Sequence, residues 1–436
     1  MSVWNTACHV LVRHLDEGAR LDHALDDASG PLSPTDRRRC RHLVYGAVRH
    51  LALLDACVNQ HLRHPPRPVL RAALLAGAFE LLETPAQTPA IIHHAVDRAR
   101  EIASTAEARL VNAVLRKVVV SLQEATAGEP RAGDVAGLAL RYSHPAWLVE
   151  RWVHAWGDAE TRRLLAWNQQ PAPVHARVVG DAAAAGSGVQ APARSPDVWP
   201  AFFRPTEWPR FFLLEKPDWA EVERLLAAGR IYLQDPATGL ASEVLGVVPG
   251  EAVLDLCAAP GGKTLQLAEA VGPAGRVVAL DLPGARLTRL RENIRRYPVL
   301  RGRIAVVACD ARYLSSSILA LERQPATYDA VLLDAPCSNT GVLRHRVDAK
   351  WRLSPRDLIE LPQLQRTLLE RAAGVVGPGG RLVYSTCSLE PEENRAVVEE
   401  FLTSSAGAAF RLEASRVSRP WVDARDGAGV FLLRRA

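Results

Sequence analysis

Residues 252–264 read AVLDLCAAPGGKT and residues 328–341 read YDAVLLDAPCSNTG. Each starts as an unbroken apolar run and ends in small or polar residues. RVVALDL (276–282), RIAVVACD (303–310) and GRLVYSTCS (380–388) share that texture, and helical stretches separate them. A strand with one wet face alternates apolar and polar residues, whereas a strand covered on both faces is apolar throughout. Continuous apolar strands interleaved with helices predict a mostly parallel, Rossmann-like α/β sheet over residues 231–436. Ligands in such sheets bind beyond the carboxyl ends of the strands. The unusual residues of this half all lie there.

Upstream the period changes. From residue 1 to about 120, apolar residues recur at three and four positions, as in Val44, Val48, Leu51 and Leu54, and in Leu74, Leu75, Ala78, Leu81 and Leu82. That spacing is one face of a helix. SPTD (33–36) and Pro65, Pro66 and Pro68 mark turns, so an all-α domain is expected over 1–125. QEATAGEPRAGD (123–134) has linker composition, and the following SHPAWLVERWVHAWG predicts a Trp-rich amphipathic helix. That helix opens a small intermediate module, 136–230, in which DAAAAGSGVQAPARSPD (181–197) is expected to be a disordered loop.

Composition bounds the possible functions. A chain of 436 residues exceeds one ordinary core, which favours a multidomain protein. Lys and Arg outnumber Asp and Glu by 53 to 48, a net charge of +5 that suits a polyanionic partner and also fits plain solvated faces. The seven cysteines are odd in number and show no CxxC pair, which argues against a disulfide framework and a structural metal site. The first residues, MSVWNTACHVLVRHLDEG, carry charges where a secretory signal needs an apolar run, and no stretch is long enough to span a bilayer. A cytoplasmic protein with no membrane association and no obligate protein partner is expected.

DLCAAPGGKT (255–264) admits two readings. A nucleotide P-loop would put its last three residues on Gly262, Lys263 and Thr264, with Asp334 as the magnesium carboxylate, but its leading glycine would fall on Cys257. The second reading is a loop for S-adenosylmethionine, whose carboxylate can face a helix N-terminus. Gly261 and Gly262 allow close approach, Asp281 ends the second strand at the offset of a ribose-binding carboxylate, and Asp310 ends the third, positioned for the adenine amino group. A lone aspartate after a strand is usually a turn or capping residue. Three in succession after a Gly-rich turn favour the methyl-donor reading.

DAPCSNTG (334–341) and YSTCSLEPEEN (384–394) end the fourth and fifth strands with Cys337 and Cys387. Carbon 5 of cytosine is not nucleophilic until something adds to carbon 6, and a thiolate suits that addition. The proton on carbon 5 must afterwards leave, which calls for a second proton-transfer group. A free cysteine is more often a small buried apolar residue, and that reading is adopted for Cys8, Cys40, Cys57 and Cys309, with Cys257 merely lining the donor loop. Asp334 is read as a contact for the cytosine amino group, with a turn cap as the alternative. Lys263 is read as screening the donor carboxylate or lowering a thiol pKa, against the usual solvated lysine.

Together DLCAAPGGKT, LLDAPCSNTGVLRHRVDAKWR and YSTCSLEPEEN resemble the RNA 5-methylcytosine methyltransferase family, the Nol1/Nop2/Sun group. SHPAWLVERW, LVYGAVR (43–49) and VNAVLRK (111–117) extend the likeness to a bacterial subgroup that fuses a NusB-like, all-α RNA-binding domain to the enzyme. The resemblance implies a seven-stranded class I methyltransferase domain, S-adenosylmethionine as cofactor, and small-subunit ribosomal RNA, before full assembly, as partner. It implies Cys387 as nucleophile and Cys337 as the residue assisting release, with Asp334 and Lys263 beside them. It assigns the donor to Cys257, Ala258, Ala259, Pro260, Gly261, Gly262, Lys263, Asp281, Arg286, Asp310 and Asp334. Pro283 replaces a second acidic residue, leaving Asp281 the sole ribose carboxylate. The basic runs RRRCRH (37–42) and RHRVDAKWR (344–352) are candidate RNA contacts, the second, with Trp351 interleaved, at the substrate mouth. A P-loop NTPase and a non-catalytic, antitermination-like RNA-binding factor are the alternatives.

Overall fold

The computed structural model describes residues 2–180 and 199–436, so the expected loop at 181–197 lies outside the described residues. The chain divides into two units, Met1–Pro171 with Leu343–Arg352, and Ala172–Val342 with Leu353–Ala436.

The first unit is helical: α1 (Val3–Leu15), α2 (Leu21–Ser29), α3 (Pro34–Arg49), α4 (Leu51–Asn59), α5 (Pro68–Glu83), α6 (Thr88–Ile102), α7 (Thr105–Thr126), α8 (Val135–Arg141) and α9 (Ala146–Gln169). Local chemistry sets the starts. Ser33 accepts from the Asp36 amide with Pro34 in the first turn, and Ser104 and Glu107 form a reciprocal capping box. The periodic residues Val44, Val48, Leu54, Leu74 and Leu75 are fully buried in one core. Gly46 lets α3 and α5 close up, since a Cβ there would lie 1.9 Å from the Phe79 ring.

The second unit holds two sheets. A small antiparallel sheet has the order β2-β3-β1-β4, from β1 (His175–Val178), β2 (Phe203–Pro205), β3 (Phe211–Leu214) and β4 (Ile231–Leu233). Buried Arg177 joins it to the helix Gly262–Ala270 through Glu269 at 2.8 Å, with Arg210 on the other oxygen at 2.6 Å. The larger sheet comprises β5 (Ala252–Leu256), β6 (Arg276–Asp281), β7 (Ile304–Ala308), β8 (Tyr328–Asp334), β9 (Val376–Thr386), β10 (Phe410–Ser418) and β11 (Ala428–Arg435). Its order is β10-β11-β9-β8-β5-β6-β7, with β5 to β9 parallel and β10 and β11 antiparallel. This is the expected mostly parallel seven-stranded sheet. The strand order reverses between β5 and β8, which opens a crevice at their carboxyl ends.

By their contacts α8 and α9 group with the helical unit, which runs to Pro171. More consequential is RHRVDAKWR. Residues 343–352 form a strap within the helical unit: Val347 joins its core, Lys350 donates to the Arg49 carbonyl at 2.9 Å, and Trp351 donates to the Val48 carbonyl at 2.9 Å. A helix leaves its last carbonyls without partners, and the strap supplies donors to those of α3. Arg344 lies 4.1 Å over the Trp167 ring and donates to the Pro171 carbonyl at 2.7 Å, and Arg346 pairs with Asp22. These cations are engaged inside the unit rather than presented to a phosphate backbone. By contrast Arg37, Arg39, Arg41 and His42 of the first basic run are exposed on α3.

Candidate active site

The loop after β5 is a tight turn into the helix Gly262–Ala270. Cys257 adopts a left-handed backbone, φ 59°, a conformation costing a non-glycine residue roughly 1–2 kcal/mol. The Ala258 amide donates to the Leu280 carbonyl at 3.1 Å, and the Ala259 amide to Asp281 at 2.8 Å. Asn293 holds the Pro260 carbonyl at 2.8 Å. Gly261, φ 109°, has no room for a side chain, since a Cβ would meet Leu290 at 2.8 Å. Beneath the turn Asp255 is fully buried and accepts from the Thr264 hydroxyl at 2.6 Å. Burial, with smaller contributions from the charges of Asp334 and Asp281, pushes its carboxyl up to about 7. Burial likewise pushes the Cys257 thiol up to about 12.

The expected strand-end carboxylates stand at successive strands. Asp281, 3 % exposed, accepts from the amides of Ala259 and Leu282 and from Arg286 at 3.3 Å. Arg286 thereby ties the second strand end to the loop. Asp310 follows β7 and is chelated by Arg312, whose hydrogen bonds hold its carboxyl below the usual range. Asp334 closes β8 and pairs with Lys263 at 2.7 Å. Lys263 is therefore not the solvated lysine of the bland reading. Burial opposes its charge, but Asp334 outweighs that and raises its pKa, with the charge of Cys387 contributing.

Strands β8 and β9 are parallel neighbours, with Asp334 opposite Ser385, so the loops beyond them converge. The Cys337 and Cys387 sulfurs lie 3.2 Å apart, both half-buried and both free thiols. Asn339, itself left-handed at φ 63°, accepts from Cys387 at 3.4 Å and donates to the Cys337 carbonyl at 2.8 Å. The hydrogen bond to Cys387, then burial, then the charges of Cys387 and Glu393 push the Cys337 thiol well above its ordinary range. Cys8, Cys40 and Cys57 are buried in the helical core, as expected of inert thiols.

Sequence reasoning missed what braces these loops: Ser338, Ser388, Gln365 and Glu393. The last lies inside YSTCSLEPEEN beside Glu390 and Glu392, where spacing alone does not single it out.

A Rossmann-like sheet with a Gly-rich turn at its switch point, carboxylates at successive strand ends and an adjoining helical unit defines a methyltransferase architecture. Residues 242–421 match the family described as 16S rRNA methyltransferase RsmB/F, residues 144–180 its ferredoxin-like domain, and residues 3–120 the NusB family. The chain is 33% identical over 419 residues to the ribosomal RNA small subunit methyltransferase B of Sodalis glossinidius, covering 93% of this chain and 90% of that one. It is 32% identical over 436 residues to that of Vibrio cholerae, covering 96% and 93%. A methyltransferase homologue from Pyrococcus horikoshii superposes with a TM-score of 0.57 at 26% identity, over 70% of this chain and 100% of that one. The chain belongs to the RsmB/F methyltransferase family.

Proposed function

We propose that the protein transfers a methyl group from S-adenosylmethionine to carbon 5 of a cytosine in small-subunit ribosomal RNA, with Cys387 as nucleophile. The observation that carries this reading is the pair of sulfurs 3.2 Å apart at the ends of adjacent strands, beside the Gly-rich turn. Membership of the family supports the methyl transfer and the RNA substrate.

The residues fit such a donor. The turn from Cys257 to Gly262 opens a helix N-terminus toward a carboxylate, Gly261 and Gly262 keep the approach free of side chains, and Asp281 and Asp310 offer acceptors to ribose and adenine. When bound, the sulfonium supplies an electrophilic methyl group. The protein's own steps are as follows. Cys387, as thiolate, adds to carbon 6, and the electron pair released onto carbon 5 takes the methyl. Asp334 accepts from the cytosine amino group, while Lys263 fixes that carboxylate and puts a positive charge beside the thiolate. Cys337, once its own proton has passed to solvent, takes the carbon 5 proton, and the electrons left behind expel Cys387 from carbon 6 as thiolate.

Cys387→Ser is expected to abolish tritium transfer from labelled donor to RNA, and near-normal transfer would sink the assignment. Cys337→Ala is expected to accumulate a protein–RNA adduct that survives denaturing gels; no adduct with activity intact would refute the release role.

A further inference from the structure

The distance between the two sulfurs depends on a group that touches neither of them. Each cysteine is followed by a serine, Ser338 and Ser388, and both serines bond to one carboxylate, Glu393, which is completely buried. The Ser338 amide donates to Oε1 at 2.9 Å, while its hydroxyl and that of Ser388, the latter at 2.5 Å, reach Oε2. Gln365 donates to Oε1 at 2.9 Å and to the Pro336 carbonyl at 2.9 Å, fixing the residue before Cys337 to the same centre. Glu393 is tied down in turn, its own carbonyl accepting from the Tyr384 hydroxyl at 2.6 Å. Four donors converge on this carboxylate, and all four are neutral groups from the two cysteine loops and the helix Asp357–Ala373. Burying a carboxylate this way is costly unless its geometry is filled. An apolar core residue would cover the strand ends equally well but would not draw two loops to one point.

We propose that Glu393 is a positioning residue: by holding Ser338 and Ser388 on one carboxylate, it sets the spacing of Cys337 and Cys387 on which attack and release both depend. The catalytic part rests on the reading that both thiols act; the spacing part does not. Loosening a site by about an ångström is enough to cost on the order of a hundredfold in rate.

The test uses the full-length protein without RNA or donor. Diamide oxidises two neighbouring thiols to a disulfide and is itself reduced to the hydrazine, so the rate of the Cys337–Cys387 link, read by peptide mapping, reports their spacing. Glu393→Ala is expected to slow that link at least tenfold and to lower kcat by a similar factor, with the KM for donor within twofold of the parent. Glu393→Gln, which keeps an acceptor oxygen, is expected to fall between. A folded Glu393→Ala protein that forms the link at the parental rate would overturn the inference. Should that variant not fold, the Ser338→Ala/Ser388→Ala double variant removes both hydroxyl donors while the Ser338 amide and Gln365 still hold Oε1, and a parental link rate there would overturn it equally. If Cys387→Ser retains methyl transfer while Glu393→Ala still slows the link, the chemical roles fail and the spacing role stands.

Discussion

The Gly-rich turn of one unit holds a half-buried lysine and the strap of the other a buried one, and their pKa values shift in opposite directions. Lys263 meets the Asp334 carboxylate at 2.7 Å, and its pKa rises despite burial. Lys350, 2 % exposed, donates to the Arg49 carbonyl and lies 5.1 Å from the Trp351 ring centre; burial and the nearby Arg49 charge push its pKa well below the ordinary 10.5. The partner decides: a carboxylate favours the charged form of a lysine, whereas beside a carbonyl burial favours the neutral one.

The largest expected effect that would break this contrast is Lys350→Glu, which buries a carboxylate against carbonyl oxygens and should destabilise the helical unit by about 3–5 kcal/mol, measured by hydrogen exchange in α3. Next is Lys263→Met. It should leave stability nearly intact but lower methyl transfer about a hundredfold, near 3 kcal/mol, by removing the charge that fixes Asp334. Parental activity in that variant would make Lys263 as structural as Lys350. Lys350→Met is gentler, expected to cost about 1–2 kcal/mol for one carbonyl left without its donor.

Alkaline pH sharpens the comparison further. Burial holds the folded pKa of Lys350 below its unfolded value, so the unfolded chain binds more protons and stability should climb with pH below 10.5, by up to about 1.4 kcal/mol per unit. Lys263 is the reverse, its contribution present below 10.5 and lost as pH rises through its raised folded value. Urea unfolding across pH 8.5 to 11, with each lysine replaced by Met, checks both signs: Lys350→Met should flatten the rise, and Lys263→Met the later fall.

Much of this was legible in the chain. Strands β5, β6 and β8 are apolar because both faces are covered, and their ends concentrate the polar residues. The small sheet was not, because strands of three or four residues are too short for a period to register. Strand β10 hides for another reason: as an edge strand it buries only its last residue fully, Ser418. The two thiols were legible from the chemistry a cytosine demands, whereas the serines beside them and Glu393 were not, since their role exists only once two loops 50 residues apart have met.

The strap also changes how the protein can be taken apart. Because residues 343–352 belong to the helical unit and their flanks do not, the chain crosses between units three times, at 171, 342 and 352. A single proteolytic nick at any one crossing leaves two covalent ties. A recombination event carrying residues 1–171 to a new protein would deliver an α3 whose final carbonyls have lost the donors of Lys350 and Trp351. Residues 1–171 alone are therefore an incomplete copy of the helical unit, which is finished by a segment from far along the chain.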